Sequence, residues 1–359
     1  MNGSPRYSFV IPARNDNFGG NFLHRFSMCI RTLLELSIKH DLSMELIIVE
    51  WNPPDNAPRL IDVLSLPDEL KKKPIRIITV PSDVHEKTSH SNDIPYCEFL
   101  AKNVGIRRAR GAYIAAMNSD IIVSDGLISY LKNIEIPDNA FFRIERYDFY
   151  DLVPDELTPI EREFFCKDHS FRVQSLRGQV ILDNKEWKKA QLRHRREFFS
   201  LAMIQEKIMR ELHRIGVGKE MTVEDEHGRS FDGLFINCGD FFLMPSTQWT
   251  RLRGYPEIGA DRSVDCYMVI LADYARLLQV LIPHPIYHQE HSREAQKYRP
   301  TAHLQEVPAF KKMIQTSQVV LPNTEQWGLA DFVLHEDILM HSTDSNTTQS
   351  SVSAPGEAV

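Results

Sequence analysis

Along the first 150 residues, short apolar runs end abruptly in polar or proline-bearing loops, and between them apolar residues recur at helical spacing. Tyr7 to Ile11 reads as a buried strand closed by Pro12, because proline cannot donate to a ladder. Glu45 to Val49 is a second strand, running into Glu50-Trp51-Asn52-Pro53-Pro54, and Ile75 to Val80 is a third, closed by Pro81. Residues 112–117 make a fourth, ending at Asn118-Ser119-Asp120, and Phe141 to Ile144 a further one before Glu145-Arg146-Tyr147-Asp148. Phe22, Phe26, Ile30, Leu33, Leu34 and Ile38 place a helix over residues 21–40. Shorter helices are expected over 58–66, 96–110 and 125–133, with a polar loop over 82–95. Strand alternating with helix predicts an α/β fold with a mostly parallel sheet and right-handed crossovers. In such sheets ligands bind beyond the carboxyl ends of the strands. The polar loops Arg14 to Asp16, Glu50 to Asn52, and Asn118 to Asp120 should therefore converge on one pocket.

The pattern changes after residue 145. Lys185 to Arg214 predicts a long helix whose first half, Lys188 to Arg196, is basic, and residues 146–233 read as a helical insertion. Strand-like alternation returns at Leu234 to Met244. A short helix follows at Ser246 to Arg251, then a turn, Arg253-Gly254-Tyr255-Pro256-Glu257, and a mostly helical stretch from Val264 to Gln279. Val280 to Ile282 reads as a last strand, closed by Pro283 and Pro285. These C-terminal elements span 234–340. The Ser/Thr-rich stretch 341–359 has almost no apolar residues and is expected to be disordered.

Composition narrows the partners. The 359 residues are 42% hydrophobic and 25% charged, ordinary values for a globular chain. A net charge of −7 argues against general nucleic-acid affinity. Five dispersed cysteines without a CxxC point away from a disulfide framework and toward a reducing compartment. The N-terminus lacks the apolar run of a signal peptide, and no run is long enough to span a bilayer. The expectation is a cytoplasmic protein with no transmembrane segment, for which peripheral contact with a membrane surface through Lys188 to Arg196 stays open.

Candidate chemistry gathers at five places. Asn118-Ser119-Asp120 follows an apolar strand, and an Asp-x-Asp in such a place commonly holds a divalent cation through oxygen ligands; here only Asp120 is charged. Before it runs Lys102-Asn103-Val104-Gly105-Ile106-Arg107-Arg108-Ala109-Arg110-Gly111, where arginine can bind phosphate bidentately. The same helix end also reads simply as a capped, solvated C-terminus. Gly239-Asp240-Phe241-Phe242 reads either as a plain strand-entry turn or as a place from which Asp240 could orient a hydroxyl. Asp265, with Asp261 as second choice, stands at a helix start where it could serve as general base or merely favour the helix dipole. His284, His288 and His291 fall within eight residues, and neutral imidazoles are metal ligands. Arg293 follows them.

Taken in order, FVIPARN, LIIVEW, KNVGIRRARGAYIAAMNSD and CGDFFLMPSTQWTRLRGYPE resemble the GT-A glycosyltransferases of the large family-2-like group, over residues 6–145 and 234–292. The resemblance implies a Rossmann-like GT-A sheet flanked by helices, whose first half, 1–145, binds a nucleotide-sugar and whose second, 234–340, faces the acceptor. It places Pro12, Arg14 and Glu50 at the nucleoside. Asn103, Arg108 and Asn118 belong to the same donor side, with Arg108 at the diphosphate. It gives Mn²⁺ or Mg²⁺ to Asp120 with His288 or His291, and makes Asp265 the base of an inverting transfer to an acceptor hydroxyl. Two departures stand out: Glu50 replaces a more usual Asp, and Asn118 replaces the first Asp of the triplet. The implied activity is that of a metal-dependent hexosyltransferase-type enzyme using a nucleotide-sugar, UDP-linked by preference. Its rivals are a catalytically silent nucleotide-binding or scaffold protein of the same fold, which Asn118 favours, and a sugar-phosphate nucleotidyltransferase. Pro12-Ala13-Arg14-Asn15 is not the glycine-rich loop that the second would carry.

Overall fold

The computed structural model describes residues 4–88, 94–175, 178–183, 239–258, 264–292 and 307–339. The expected helix Lys185 to Arg214, Asp261, Arg293 and the tail from 341 lie outside the described residues. In the first half the elements are β1 Tyr7–Ala13, α1 Phe22–Lys39, β2 Met44–Trp51, α2 Leu60–Val63, β3 Ile75–Val80 and α3 Ser82–His85. They continue with α4 Glu98–Arg108, β4 Tyr113–Met117, β5 Ile121–Val123, α5 Asp125–Asn133 and β6 Ala140–Phe149. Then come α6 Pro159–Asp168, β7 Arg172–Ser175, β8 Gly178–Ile181, β9 Phe241–Pro245, α7 Ser246–Leu252 and α8 Val264–Tyr274. The last are β10 Leu278–Gln289, α9 Pro308–Thr316 and β11 His335–Leu339.

The sheet order is β11-β3-β2-β1-β4-β9-β6-β10-β5, with β7 and β8 added alongside β6. β3, β2, β1 and β4 form a parallel block, and β6 and β10 are parallel to each other. Following the pairings, most strands share one direction, while β5, β7, β9 and β11 run against it. Both faces of the block are covered. Phe9, Ile11, Leu46 and Ile48 point into a core shared with α1 and α5, and Val10, Ile47 and Val49 into one shared with α4, α7 and α8. That is why these strands read as continuous apolar runs rather than alternating ones. α4 lies so close to β1 that a Cβ on Gly105 would collide with Val10 Cγ1.

β4 and β5 are four places apart in sheet order, which in a flat sheet is about 19 Å. Only residues 118–120 join them, and four Cα steps reach at most about 14 Å. The sheet therefore curls around the Asn118–Asp120 corner.

Several boundaries differ from the sequence reading for identifiable reasons. β1 runs through Pro12 to Ala13: pairing with β4 stops at Val10, so beyond it one side of β1 needs no donor. β10 runs through Pro283 and Pro285, because its register with β6 shifts between Ile282 and Ile286. The strand thus carries His288, while the helix expected up to Gln279 ends at Tyr274. The division at 145/146 falls inside β6, whose charged end continues the strand since Arg146 and Asp148 are neutralised by each other and by neighbours. Residues 146–183 contribute α6 and the β7–β8 pair to the main body. No described helix is long and apolar enough to cross a membrane.

Candidate active site

A cavity of about 710 Å³ opens at the carboxyl ends of β1, β4 and β6. Of the residues singled out from sequence, the fold brings Pro12, Arg14, Asn118, Asp120, Asp240, His288 and His291 into its wall. A second cavity of about 210 Å³ is lined mainly by apolar side chains near Phe99 and Leu329 and has Ile94 in common with the first.

Asp120 and His288 meet because β5 and β10 pair antiparallel with His288 opposite Ile121. Gln289 ties the corner down: its backbone N–H and its side-chain amide both donate to the Asp120 carbonyl, at 3.1 and 3.2 Å. His288 Nε2 lies 3.6 Å and His291 Nε2 3.2 Å from Asp120 Oδ2. The opposite ring nitrogens are engaged: His288 Nδ1 with Asp148 Oδ1 at 3.1 Å, and His291 Nδ1 with the Ser292 carbonyl at 2.7 Å. An imidazole that donates from Nδ1 presents a lone pair at Nε2. Two such lone pairs beside a carboxylate repel unless protons or a cation lie between them.

The electrostatics agree. Burial works against a charged His288, but the Asp120 carboxylate and the bonds to Asp120 and Asp148 outweigh it and push the imidazole up to about 9. Burial likewise opposes ionisation of Asp120, and His288 and His291 hold it well below the usual carboxylate range. Asp120 Oδ1 is buried with no hydrogen-bond partner. Asp120, His288 and His291 place one ligand atom each within 4.8 Å of one another. A carboxylate and two imidazoles, one imidazole oriented by a further carboxylate, suit a divalent cation. The residues fit the metal that the family resemblance implies.

The opposite wall is a network of paired charges. Arg146 donates to Asp240 at 2.5 Å and ion-pairs with Asp148 at 2.8 Å; Arg172 pairs with Asp148 and with Glu290. Asn118 bridges this wall to α4. Its Oδ1 accepts from Lys102 Nζ at 2.6 Å and its Nδ2 donates to Asp240 Oδ1 at 3.2 Å. An amide suits a position between a cation and an anion, which gives Asn118 a role as an organiser of side chains. Lys102 also meets Glu98 and the Gly239 carbonyl, so its three donors are used.

His284, singled out with the other two histidines, lies against Gly126 and Tyr130 outside this cavity, and Glu50, Asn103, Arg108 and Asp265 do not line it either. Glu50 is fully buried; it accepts from the Leu60 N–H at 2.6 Å and pairs with Arg59, fastening the 52–60 loop. Asn103 bonds both backbone groups of Tyr255 and the Glu257 carboxylate. Arg108, at the far end of α4, donates to the carbonyls of Gly328, Leu329 and Phe332. Asp265 packs behind the wall against Gly239. Burial raises its carboxyl above the usual range, against opposing help from the Cys266 N–H and Lys102. The sequence reading missed Arg146, Asp148 and Arg172. The i, i+2 spacing of Arg146 and Asp148 at a strand end was their only signal.

No family model matches the sequence, and no curated protein matches it either. Several solved structures align with this chain over most of its length. Residues 1–349 of S. aureus TarS align at 9% identity over 79% of this chain and 60% of that one, with a TM-score of 0.40. This chain thus spans less than two thirds of that structure's length. The same TarS segment in complex with UDP-GlcNAc aligns at 9% identity over 91% of this chain and 71% of that one, TM-score 0.44. The catalytic domain of Drosophila β1,4-galactosyltransferase 7 in complex with xylobiose aligns at 9% identity over 86% and 78%, TM-score 0.36. Likenesses at this level are overall resemblances of shape, and the functional reading rests on the residues of the cavity.

Proposed function

We propose that this chain is a glycosyltransferase that moves a sugar from a nucleotide-sugar to an acceptor hydroxyl, with a divalent metal held by Asp120, His288 and His291. One observation carries the reading: these three side chains converge, with Asp120 Oδ1 buried and unpartnered, in a large cavity at the carboxyl edge of a parallel block. When bound, Mn²⁺ or Mg²⁺ would supply Lewis-acid stabilisation of a leaving diphosphate.

The chain's own residues do the rest. Arg14, fixed by Asp16 and the Asn52 carbonyl, and Pro12 border the side assigned to the nucleoside. Asp148 holds His288 with its Nε2 turned to the cavity. Asp240, steadied by Arg146 and Asn118, is the carboxylate that faces an acceptor hydroxyl and orients it. A carboxylate within reach of that hydroxyl is what an inverting displacement requires. Asp265 stands one residue layer behind and supports this wall.

The test is nucleotide release from a panel of UDP- and GDP-sugars with Mn²⁺, with and without simple sugar acceptors. The expected result is turnover of one donor class, reduced by about 100-fold or more in Asp240→Asn and by less in Asp265→Asn. Donors that bind without turnover would support the silent binder instead. A larger loss in Asp265→Asn than in Asp240→Asn would reassign the base.

A further inference from the structure

Four arginines line the main cavity: Arg14, Arg25, Arg146 and Arg172. Three are paired with carboxylates, Arg14 with Asp16, Arg146 with Asp148 and Asp240, and Arg172 with Asp148 and Glu290. Arg25 has no carboxylate at ion-pair distance among the described residues. It is 4% exposed, and its Nε and Nη1 are buried with no hydrogen-bond partner. Only Nη2 is engaged, donating to the Phe18 carbonyl at 2.5 Å, which orients the guanidinium.

Its place on α1 is costly. Phe22, Phe26, Cys29, Ile30 and Leu33 form the apolar stripe of that helix, and Arg25 falls at the same helical spacing. A buried charge without a partner is strongly unfavourable unless something supplies one. Asp120 Oδ1, whose carboxylate is near enough to favour the charged Arg25, is the complementary orphan in the same cavity wall. A cation alone would satisfy Asp120 and repel Arg25; an anion alone would do the reverse. A ligand that joins the two, a metal-chelated phosphate or diphosphate, satisfies both.

We infer that Arg25 is the anion-binding residue of this cavity, contacting the phosphate groups of a ligand whose metal is held by Asp120, His288 and His291. This rests on the metal reading above. The same short loop fixes both partners. Phe18 anchors Arg25 through its carbonyl and meets the His291 ring edge-on, with centroids 5.1 Å apart. Gly19, at φ +71°, accepts from the Ser292 N–H at 3.3 Å, and a Cβ there would overlap His291 Nδ1. Phe18-Gly19 therefore sets the distance between the anion-binding guanidinium and a metal ligand, and anion and metal should bind with positive coupling.

The experiment titrates inorganic pyrophosphate by calorimetry into wild type and Arg25→Met, with and without Mn²⁺, alongside Mn²⁺ titrations and thermal melts. Methionine fits the apolar stripe, so the variant should melt no lower than wild type. Pyrophosphate in the presence of Mn²⁺ should bind about 10–100-fold more weakly to the variant, while Mn²⁺ alone binds within about threefold of wild type or tighter. A variant that fails to fold or melts lower, or one that binds pyrophosphate as wild type does, shows Arg25 to be structural and overturns the assignment. So does a wild type that takes up Mn²⁺ but no pyrophosphate. UDP separates this from the sugar-nucleotide reading. If pyrophosphate binding depends on Arg25 but UDP binds no tighter than pyrophosphate, Arg25 stands and the nucleotide-sugar assignment falls.

Discussion

The two ends of α4 carry similar residues and have opposite fates. At its N-terminal end Glu98 and Lys102 reach the cavity wall and, through Asn118, organise Asp240. At its C-terminal end Arg108 donates to the Gly328, Leu329 and Phe332 carbonyls, and Arg107 donates to Glu325 and lies over Trp327. There both terminal nitrogens of Arg108 donate to backbone carbonyls, and the segment carrying Glu325 to Phe332 is strapped onto the helix. Across the cavity from Lys102, by contrast, Asp120 Oδ1 and two nitrogens of Arg25 are buried without partners. Side chains at the C-terminal end of α4 are taken up by backbone carbonyls, whereas complementary groups without partners stand in the cavity, where a ligand is proposed to bind.

The largest expected effect concerns pH. With its folded value near 9, His288 is protonated at neutrality and must release that proton to bind a metal. Asp120, held well below the usual range, stays ionised throughout. Mn²⁺ affinity should therefore rise about tenfold per pH unit below 9, about 100-fold from pH 7 to 9, and then level off. A flat profile from calorimetry at pH 7, 8 and 9 would remove His288 from the site. At the other end of α4, Arg108→Ala should cost about 1–2 kcal/mol of unfolding free energy in urea, because it strips half-buried carbonyls of a charged donor. It should leave Mn²⁺ affinity unchanged. Loss of metal or pyrophosphate binding with unchanged stability would reverse the roles assigned to the two ends.

The parallel block was legible because its strands are apolar on both faces and are punctuated by proline and polar loops, so β1 to β4 fall within a residue or two of their expected places. The Asp120 corner was legible as a polar triplet closing an apolar run. What escaped the sequence reading depends on long-range register. His288 was expected beyond a strand closed by prolines, whereas a bulge carries β10 past them and opposite Ile121. Arg108 and Asn103 looked like ligand-binding residues because an arginine and an amide suit phosphate and hydroxyl groups; segments 152 to 224 residues further along the chain take up their hydrogen bonds instead. Arg25 was visible only as a charge at an apolar-stripe position, a signal that acquires meaning once its neighbours in space are known.

Asp120, His288 and His291 together are the proposed metal site. Mn²⁺ titration at pH 8, followed by the paramagnetic resonance signal of the free ion, tests it most directly with wild type and Asp120→Ala. One ion bound per chain by wild type, with affinity falling by about 100-fold or more in a variant that keeps its circular dichroism spectrum, is the predicted result. No uptake by wild type, or equal uptake by both proteins, would contradict it.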